Sequence, residues 1–444
     1  MRHVSKSSLK RVLGGTAGKS ETALVSDHVF KCQVCKKLSR EVVAELREEM
    51  RAQRPTSRPG GSLKVLAEIF SLEQETSIDR TLALAERATM RNLSLKAQKE
   101  RAGTSRVCKS WPFVSLLIQE LRQQGSYEVS ENLGSLTAAC IQAMDPHQYT
   151  QELRNDLASE MWVAMANARR KAAEWTRAAK AIEQADALRE KGTGNVWLRG
   201  HLMEIRAAME ADQGQRADAL ARLALCREIY ETVEDWTGVA RSLIASADCL
   251  SESDPLQALR LTKQALPLIP ETDLGLTNIA NHLEVECLID LEQVPEAAAL
   301  FGYCLERHET GRVKIRRDWI GARLLHAAGY SKEAERLHGE VVTADLRAEL
   351  YKDAFLDLLF LFNLHVKEGN LDKAVFICRR ALEEAELAAF SHEQIRGVWQ
   401  FLMERVQSVE QNLIREVRAY MTVHWRHPAN QVPLFAQKTK GDRR

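Results

Sequence analysis

At 444 residues the chain is too long for one compact core, which leaves two or three domains or one elongated repeat array. Its 62 Lys+Arg against 61 Asp+Glu give a formal net charge of +1, which argues against chain-wide nucleic-acid binding, while 45% apolar and 28% charged residues argue against overall disorder. No stretch reaches the ~18 apolar residues of a membrane span: the longest candidate, Ala354 to Val366, already carries Asp357, Asn363 and His365.

From the N-terminus, the first chemical signal is His28-Val-Phe-Lys-Cys32-Gln-Val-Cys35, an H-x3-C-x2-C spacing. Positions i, i+4 and i+7 share one helix face, so an imidazole and two thiolates can converge on one ion. Zinc takes such nitrogen and sulfur donors in a tetrahedral cage, and a structural site needs four of them. His3 is the candidate for the fourth. A helix over Ser7–Leu13, a turn at Gly14–Gly15 and a helix over Ser20–Phe30 would bring it back to the others. The arrangement resembles the zinc-binding anti-sigma domain, a zinc finger of the one-histidine, two-cysteine type, in which an early His or Cys is followed by H-x3-C-x2-C. The resemblance covers about the first 52 residues and implies His3, His28, Cys32 and Cys35 as zinc ligands. It departs from the family in lacking a transmembrane anchor and in placing a repeat array where a short C-terminal sensor is usual. A zinc-bound C-x2-C pair can be oxidised to a disulfide with release of the ion, so a purely structural zinc and a redox-sensitive one are both open.

Residues 1–54 hold 12 Lys+Arg and 6 Asp+Glu, a local net of +6. These cations are spread over several predicted helices without interleaved aromatics, which fits a protein partner better than nucleic acid. Gly14-Gly-Thr-Ala-Gly18-Lys19-Ser20 imitates a phosphate-binding loop, but Leu13 stands where G-x4-G-K-[ST] needs glycine. It reads as a turn. Gln53–Ser62 (QRPTSRPGGS) is the clear linker of the chain.

Beyond the linker the pattern is helical throughout, with no strand signal and no proline between Pro146 and Pro255 or between Pro295 and Pro428. Small residues recur at Ala178, Ala219, Ala258, Ala297, Ala334 and Ala374, spaced 41, 39, 39, 37 and 40 apart. Seven residues after each stands Ala185, Cys226, Ala265, Cys304, Val341 or Ala381, and Gly214, Gly329 and Gly369 lie five residues before three of them. Antiparallel helices approach closely only where side chains are small, and glycine lets the chain reverse between them. A single hairpin cannot bury its apolar face, so hairpins stack and share a core. The segments Gly369–Leu382, Gly214–Cys226 and Asp254–Pro270 resemble the tetratricopeptide repeat, and the resemblance spans Glu152 to about Leu387.

In such arrays the first helix of each hairpin lines a groove for partner peptides. The resemblance places Asn167, Arg170 and Lys171 there, with His282, Trp319, Arg323, Asn363 and Lys367 from later hairpins. Val163 stands where the chaperone-binding carboxylate clamp needs lysine, which disfavours that partner class. His308, His326, His338 and His392 have no partners at metal spacing, and no G-x-S-x-G, H-E-x-x-H or dinucleotide fingerprint occurs.

The expected fold is therefore all-α: a small zinc-bound helical module (1–52), a linker (53–62), degenerate hairpins (63–150), tetratricopeptide-like repeats forming an α-solenoid (151–387), capping helices (388–427) and a disordered tail (428–444). The expected function is that of a non-enzymatic, cytoplasmic protein-interaction scaffold in bacterial regulation. Its partner would be a protein, a sigma factor or another regulator. A DNA-associated regulator with the array as sensor is the alternative, and no membrane partner is expected. Seven singly placed cysteines, such as Cys108 and Cys378, suit a reducing compartment.

Overall fold

The computed structural model describes residues 3–13, separate positions between 21 and 45, and 77–421 apart from 124–125, 173, 305–310, 349–350, 388–392, 410–412, 415 and 419–420. The Gly14–Ser20 turn, the Gln53–Ser62 linker and the tail from Pro428 lie outside the described residues, as does most of the predicted Ser20–Phe30 helix. The described residues are helical with short connections and contain no strand. Two compact units are present: unit I comprises Met1–Arg54, Asp212–Gln215 and Ala247–Arg444, and unit II comprises Pro55–Ala211 and Arg216–Ser246.

Unit II contains α2 (Ser77–Arg91), α3 (Leu95–Thr104), α4 (Trp111–Gln123), α5 (Tyr127–Ala143), α6 (Gln151–Lys171), α7 (Trp175–Glu190), nearly all of α8 (Val196–Asp212), α9 (Arg216–Thr232) and most of α10 (Trp236–Leu250). Ser94 and Thr150 accept hydrogen bonds from the Ala97 and Leu153 amides, which satisfies donors left over at the starts of α3 and α6. The core of α2 to α6 gathers Met90, Phe113, Leu117, Leu136, Cys140 and Leu157, all free of solvent. The α6–α7 hairpin is closed by polar groups: Ser159 donates to the Ala185 carbonyl at 2.8 Å, and Asn155 donates to the Lys191 carbonyl at 2.8 Å. Between α8, α9 and α10 the buried Tyr230 ring sits over Gly200 and Gly238, where a Cβ would lie 2.7 and 2.5 Å from ring carbons.

Unit I holds α1 (Lys6–Leu13) and, further along the chain, α11 (Pro255–Ala265), a 3-10 turn (Leu266–Leu268), α12 (Leu274–Asp290), α13 (Val294–Cys304), α14 (Gly311–Ala327), α15 (Ser331–Arg347), α16 (Tyr351–Lys367), α17 (Leu371–Leu387) and α18 (Glu393–Glu404). From α11 to α18 each helix packs on the next, and α12 also touches α14, as stacked hairpins require. Short turns fix the reversals. Gly329 and Gly369 adopt φ of 86° and 74°, left-handed values that glycine takes without a Cβ penalty. The equivalent place before Ala297 is filled by Glu292 with φ 59°.

The six repeat anchors Ala178, Ala219, Ala258, Ala297, Ala334 and Ala374 are all 0% exposed, and Ala185, Cys226, Ala265, Val341 and Ala381 are buried as well. Small side chains therefore mark the close helix contacts, and the chain is an all-α solenoid of tetratricopeptide-like hairpins. No described helix is long and apolar enough to cross a membrane.

Candidate functional site

The N-terminal lobe of unit I is built around α1. Ser5 caps the helix, accepting from the Ser8 amide at 3.1 Å, and Leu9 and Val12 on its apolar face are buried with Val25, Cys35 and Val42. The residue ahead of the cap region, His3, is thereby fixed against the segment that carries the other donors. His3, His28, Cys32 and Cys35 each offer one ligand atom, and these atoms all lie within 4.8 Å of one another. His3 Nδ1 is 3.4 Å from Cys32 Sγ and 3.6 Å from Cys35 Sγ. Around a tetrahedral zinc with Zn–S of ~2.3 Å and Zn–N of ~2.0–2.1 Å, a sulfur and a nitrogen stand about 3.6 Å apart. The observed spacings match that cage.

Three further observations suit a cation at this place. Nε2 of His28 is buried without a hydrogen-bond partner, a cost unless an ion occupies its lone pair. The Val4 amide donates to Cys35 Sγ at 3.4 Å, the kind of outer contact that steadies a thiolate ligand. The Cys35 amide faces the Cys32 sulfur and holds that thiol below its usual range, whereas burial raises Cys35. Among the described residues no other group of His, Cys, Asp or Glu converges in this way. The four side chains could hold a metal ion.

The first helices of successive hairpins form a second candidate region in each unit. In unit II a polar ladder runs across four helices. Glu160 on α6, with no solvent exposure, accepts from Arg122 on α4 and from His201 Nδ1 on α8 at 3.0 Å. His201 Nε2 faces Arg241 Nη2 on α10 at 3.3 Å, and Arg241 Nε reaches Glu204 Oε1 at 3.3 Å. These partners assign His201 the neutral tautomer with its proton on Nδ1. Burial, with the Arg122 and Arg241 charges, pushes its pKa down to about 3.

In unit I the corresponding face is also internally paired. Arg316 on α14 donates to Glu286 on α12 at 2.9 and 3.0 Å and lies 3.7 Å from Asp248. Arg323, two turns further along the same face of α14, pairs with Asp290 and stacks 4.9 Å over the Trp319 ring.

The sequence-derived groove residues fall into these two regions separately. On α6 of unit II, Asn167 accepts from Arg170 Nε and Nη2 at 3.2 and 3.0 Å, with Lys171 at the end of the helix. In unit I, Trp319 and Asn363 are half-buried and Lys367 is exposed at the end of α16. Arg323 keeps only 7% exposure and His282 only 1%, so His282 belongs to the wall of that face and offers nothing to solvent. His326 packs edge-on against Phe360 at 5.6 Å and His338 is buried, while His308 and His392 lie outside the described residues.

Motif reading missed Glu160, His201, Arg241 and Arg316, although the signal was present. Glu160, His201 and Arg316 each stand 18 residues before an anchor (Ala178, Ala219, Ala334), and Arg241 stands 17 before Ala258. Charged or polar groups recurring at the period of the small residues mark a shared helix face.

By sequence, neither a protein-family model nor a curated protein matches the chain. Among solved structures, a Rap protein complexed with competence and sporulation factor aligns with a TM-score of 0.54 at 17% identity, covering 71% of this chain and 87% of that one. Similarity at that identity establishes the all-α helical-repeat fold and nothing finer.

Proposed function

We propose that the chain is a non-enzymatic protein-interaction scaffold whose N-terminal lobe is held by a structural zinc ion and whose stacked hairpins receive a protein or peptide partner. The zinc would be bound by His3, His28, Cys32 and Cys35, supported by the 3.4 and 3.6 Å sulfur–nitrogen spacings and the orphaned His28 Nε2. With all four positions filled by protein, such an ion has no open site for a substrate and acts by tying the lobe together. Two thiolates in C-x2-C leave oxidation with zinc release open to test.

The partner-binding reading rests on one observation, the unit I face of first helices carrying the half-buried Trp319, Arg323 beside it, and Asn363 and Lys367 on α16. A structural neighbour of the same fold, the Rap protein complexed with competence and sporulation factor, supports a bound partner as occupant. The unit II residues Asn167, Arg170 and Lys171 are proposed as further contacts on their own helix face. Resemblance of the lobe to anti-sigma zinc domains makes a sigma factor or another transcriptional regulator the partner to try first.

Affinity capture from the native host with the wild-type chain, Trp319→Ala and Cys32→Ser/Cys35→Ser tests the reading. A discrete partner lost with Trp319→Ala supports the face. Equal capture by wild type and Trp319→Ala refutes it. The DNA-binding alternative draws on the +6 charge of residues 1–54. Lys6 and Lys10 are paired with Glu45, and Arg11 with Glu21, so part of that charge is spent inside the lobe. DNA affinity that falls steeply with salt would nevertheless favour it.

A further inference from the structure

The N-terminal lobe meets the array at α13. Within unit I, α13 packs on α12 and α14, as its place in the stack requires, and is also touched by α1 of the lobe. Ala299 lies two residues after the anchor Ala297, so on a helix of ~3.6 residues per turn it points nearly opposite, away from the hairpin core. At the same place in the other hairpins stand Lys180, Ala221, Arg260, Arg336 and Phe376, and all five are exposed, Phe376 at 63%. Ala299 alone among the six is buried, at 5%. A small side chain does not explain this, because Ala221 is as small and is open to solvent. Burial of the outer face coincides instead with the contact to α1. On the same side of α13, Glu296 is half-buried, and its Oε2 is buried without a hydrogen-bond partner. The position of α1 is tied in turn to the four-donor site. His3 precedes the first residue of the helix by three positions and faces Cys32 Sγ, and the next residue, Val4, donates its amide to Cys35 Sγ.

We propose that the lobe is a clasp: α1 docks on the outer face of α13 across Ala299, and occupancy of the four-donor site decides whether it stays there. The metal control rests on the zinc reading above; the docking does not. A methyl side chain lets two helices approach closely, whereas an arginine, as at the same place on α11 and α15, holds a neighbour off. Docking also has a cost, since Glu296 Oε2 is taken out of water and given no donor, and this keeps the clasp releasable. Without the ion His3 is no longer held, α1 leaves, and the outer face of α13 opens. The hairpin loosened in this way is the one whose inner helix, α12, supplies Glu286 and Asp290 to Arg316 and Arg323. Metal loading is thereby transmitted from the lobe to the unit I face.

Hydrogen exchange on the full chain, zinc-loaded or treated with a chelator, reads the clasp. Peptides covering 294–304 should exchange on the order of 10-fold faster after chelation. Peptides covering 371–387, whose outer face is already open at Phe376, should not change. Ala299→Arg copies the residue of α11 and α15, and should give fast exchange over 294–304 with zinc bound and no further response to chelation. Ala221→Arg controls for the substitution itself and should leave 216–232 unaltered. Because coupling is reciprocal, zinc affinity, measured by competition with a chromophoric chelator, should fall in Ala299→Arg by a similar factor. Exchange over 294–304 that ignores chelation in the wild type, or that keeps its zinc response in Ala299→Arg, overturns the clasp. Should Ala299→Arg also strip α12 and α14 of protection, the wild-type comparison decides alone. A wild-type chain that binds no Co(II) in tetrahedral form refutes the zinc site and the metal control with it. Docking is then judged on metal-free protein, where equal exchange over 294–304 in Ala299→Arg and wild type overturns it.

Discussion

Removing the proposed zinc is the most incisive perturbation of this protein. The N-terminal lobe buries few apolar side chains among its described residues: Leu9, Val12, Val25, Cys35 and Val42. A lobe of that size seldom folds on such a core alone. Structural zinc contributes about 10 kcal/mol or more in small zinc peptides, equivalent to roughly seven powers of ten in a folding constant at ~1.4 kcal/mol per decade. The long-range part of the tie is His3, which reaches Cys32 across 29 positions of sequence, whereas the other three donors come from one short segment. Chelation should therefore unfold the whole lobe. His3→Ala should leave a weaker three-donor site and release α1 alone. Hydrogen exchange on the full chain reads both: peptides spanning 3–13 and 28–42 should exchange fully after chelation, while α4 to α6 keep their protection. Reloading with Co(II) should give the visible bands of tetrahedral thiolate coordination. An octahedral cobalt spectrum, or a metal-free lobe that retains its protection, would refute the reasoning.

Other expectations concern the array and can be read by denaturation. Glu292 holds φ 59° where Gly329 and Gly369 serve equivalent turns. Glu292→Gly should stabilise by about 0.5–1 kcal/mol and Gly369→Ala should destabilise by about 1 kcal/mol; shifts of the same sign would discredit the turn assignment. Gly238→Ala would place a Cβ 2.5 Å from Tyr230 Cγ, while Gly200 lies against the hydroxyl end of the same ring. A loss of about 1–3 kcal/mol is expected, and a neutral result would mean the ring is free to move. Glu86 receives Arg101 Nε and Nη2 at 2.6 and 2.8 Å, which lowers its carboxyl to about 2. Its contribution is complete above about pH 4.5 and lost as pH falls towards 2. Because Arg101 is 41% exposed, solvent screening weakens that contribution. Arg101→Gln should flatten that acid limb.

What the sequence revealed, and what it hid, follows from the range of the forces involved. The anchor residues were legible because side-chain size is a local property and close helix contact selects for it at every repeat; Ala178 through Ala374 needed no partner to be identified. The His28–Cys35 donors were legible for a similar reason, three of them sharing a helical face within eight residues. The burial of Asp345 and Asp357 was not, because each looks like an ordinary surface aspartate until its helix is packed into the stack. Glu292 was hidden too: nothing in a glutamate announces a left-handed turn, and only alignment with Gly329 and Gly369 exposes it.

The pairing on the unit I face constrains how a partner could be recognised there. Arg316 already donates twice to Glu286, and Arg323 is committed to Asp290 and to the Trp319 ring. An acidic peptide would have to displace those carboxylates, exchanging one ion pair for another with little net gain. Attraction by charge alone is therefore a weak basis for affinity on this surface. The half-buried indole differs, since it is held on its face by Arg323, and a rigid aromatic loses little entropy when a partner covers it. Recognition built this way would rely on Trp319 for energy and on the surrounding ion pairs for orientation.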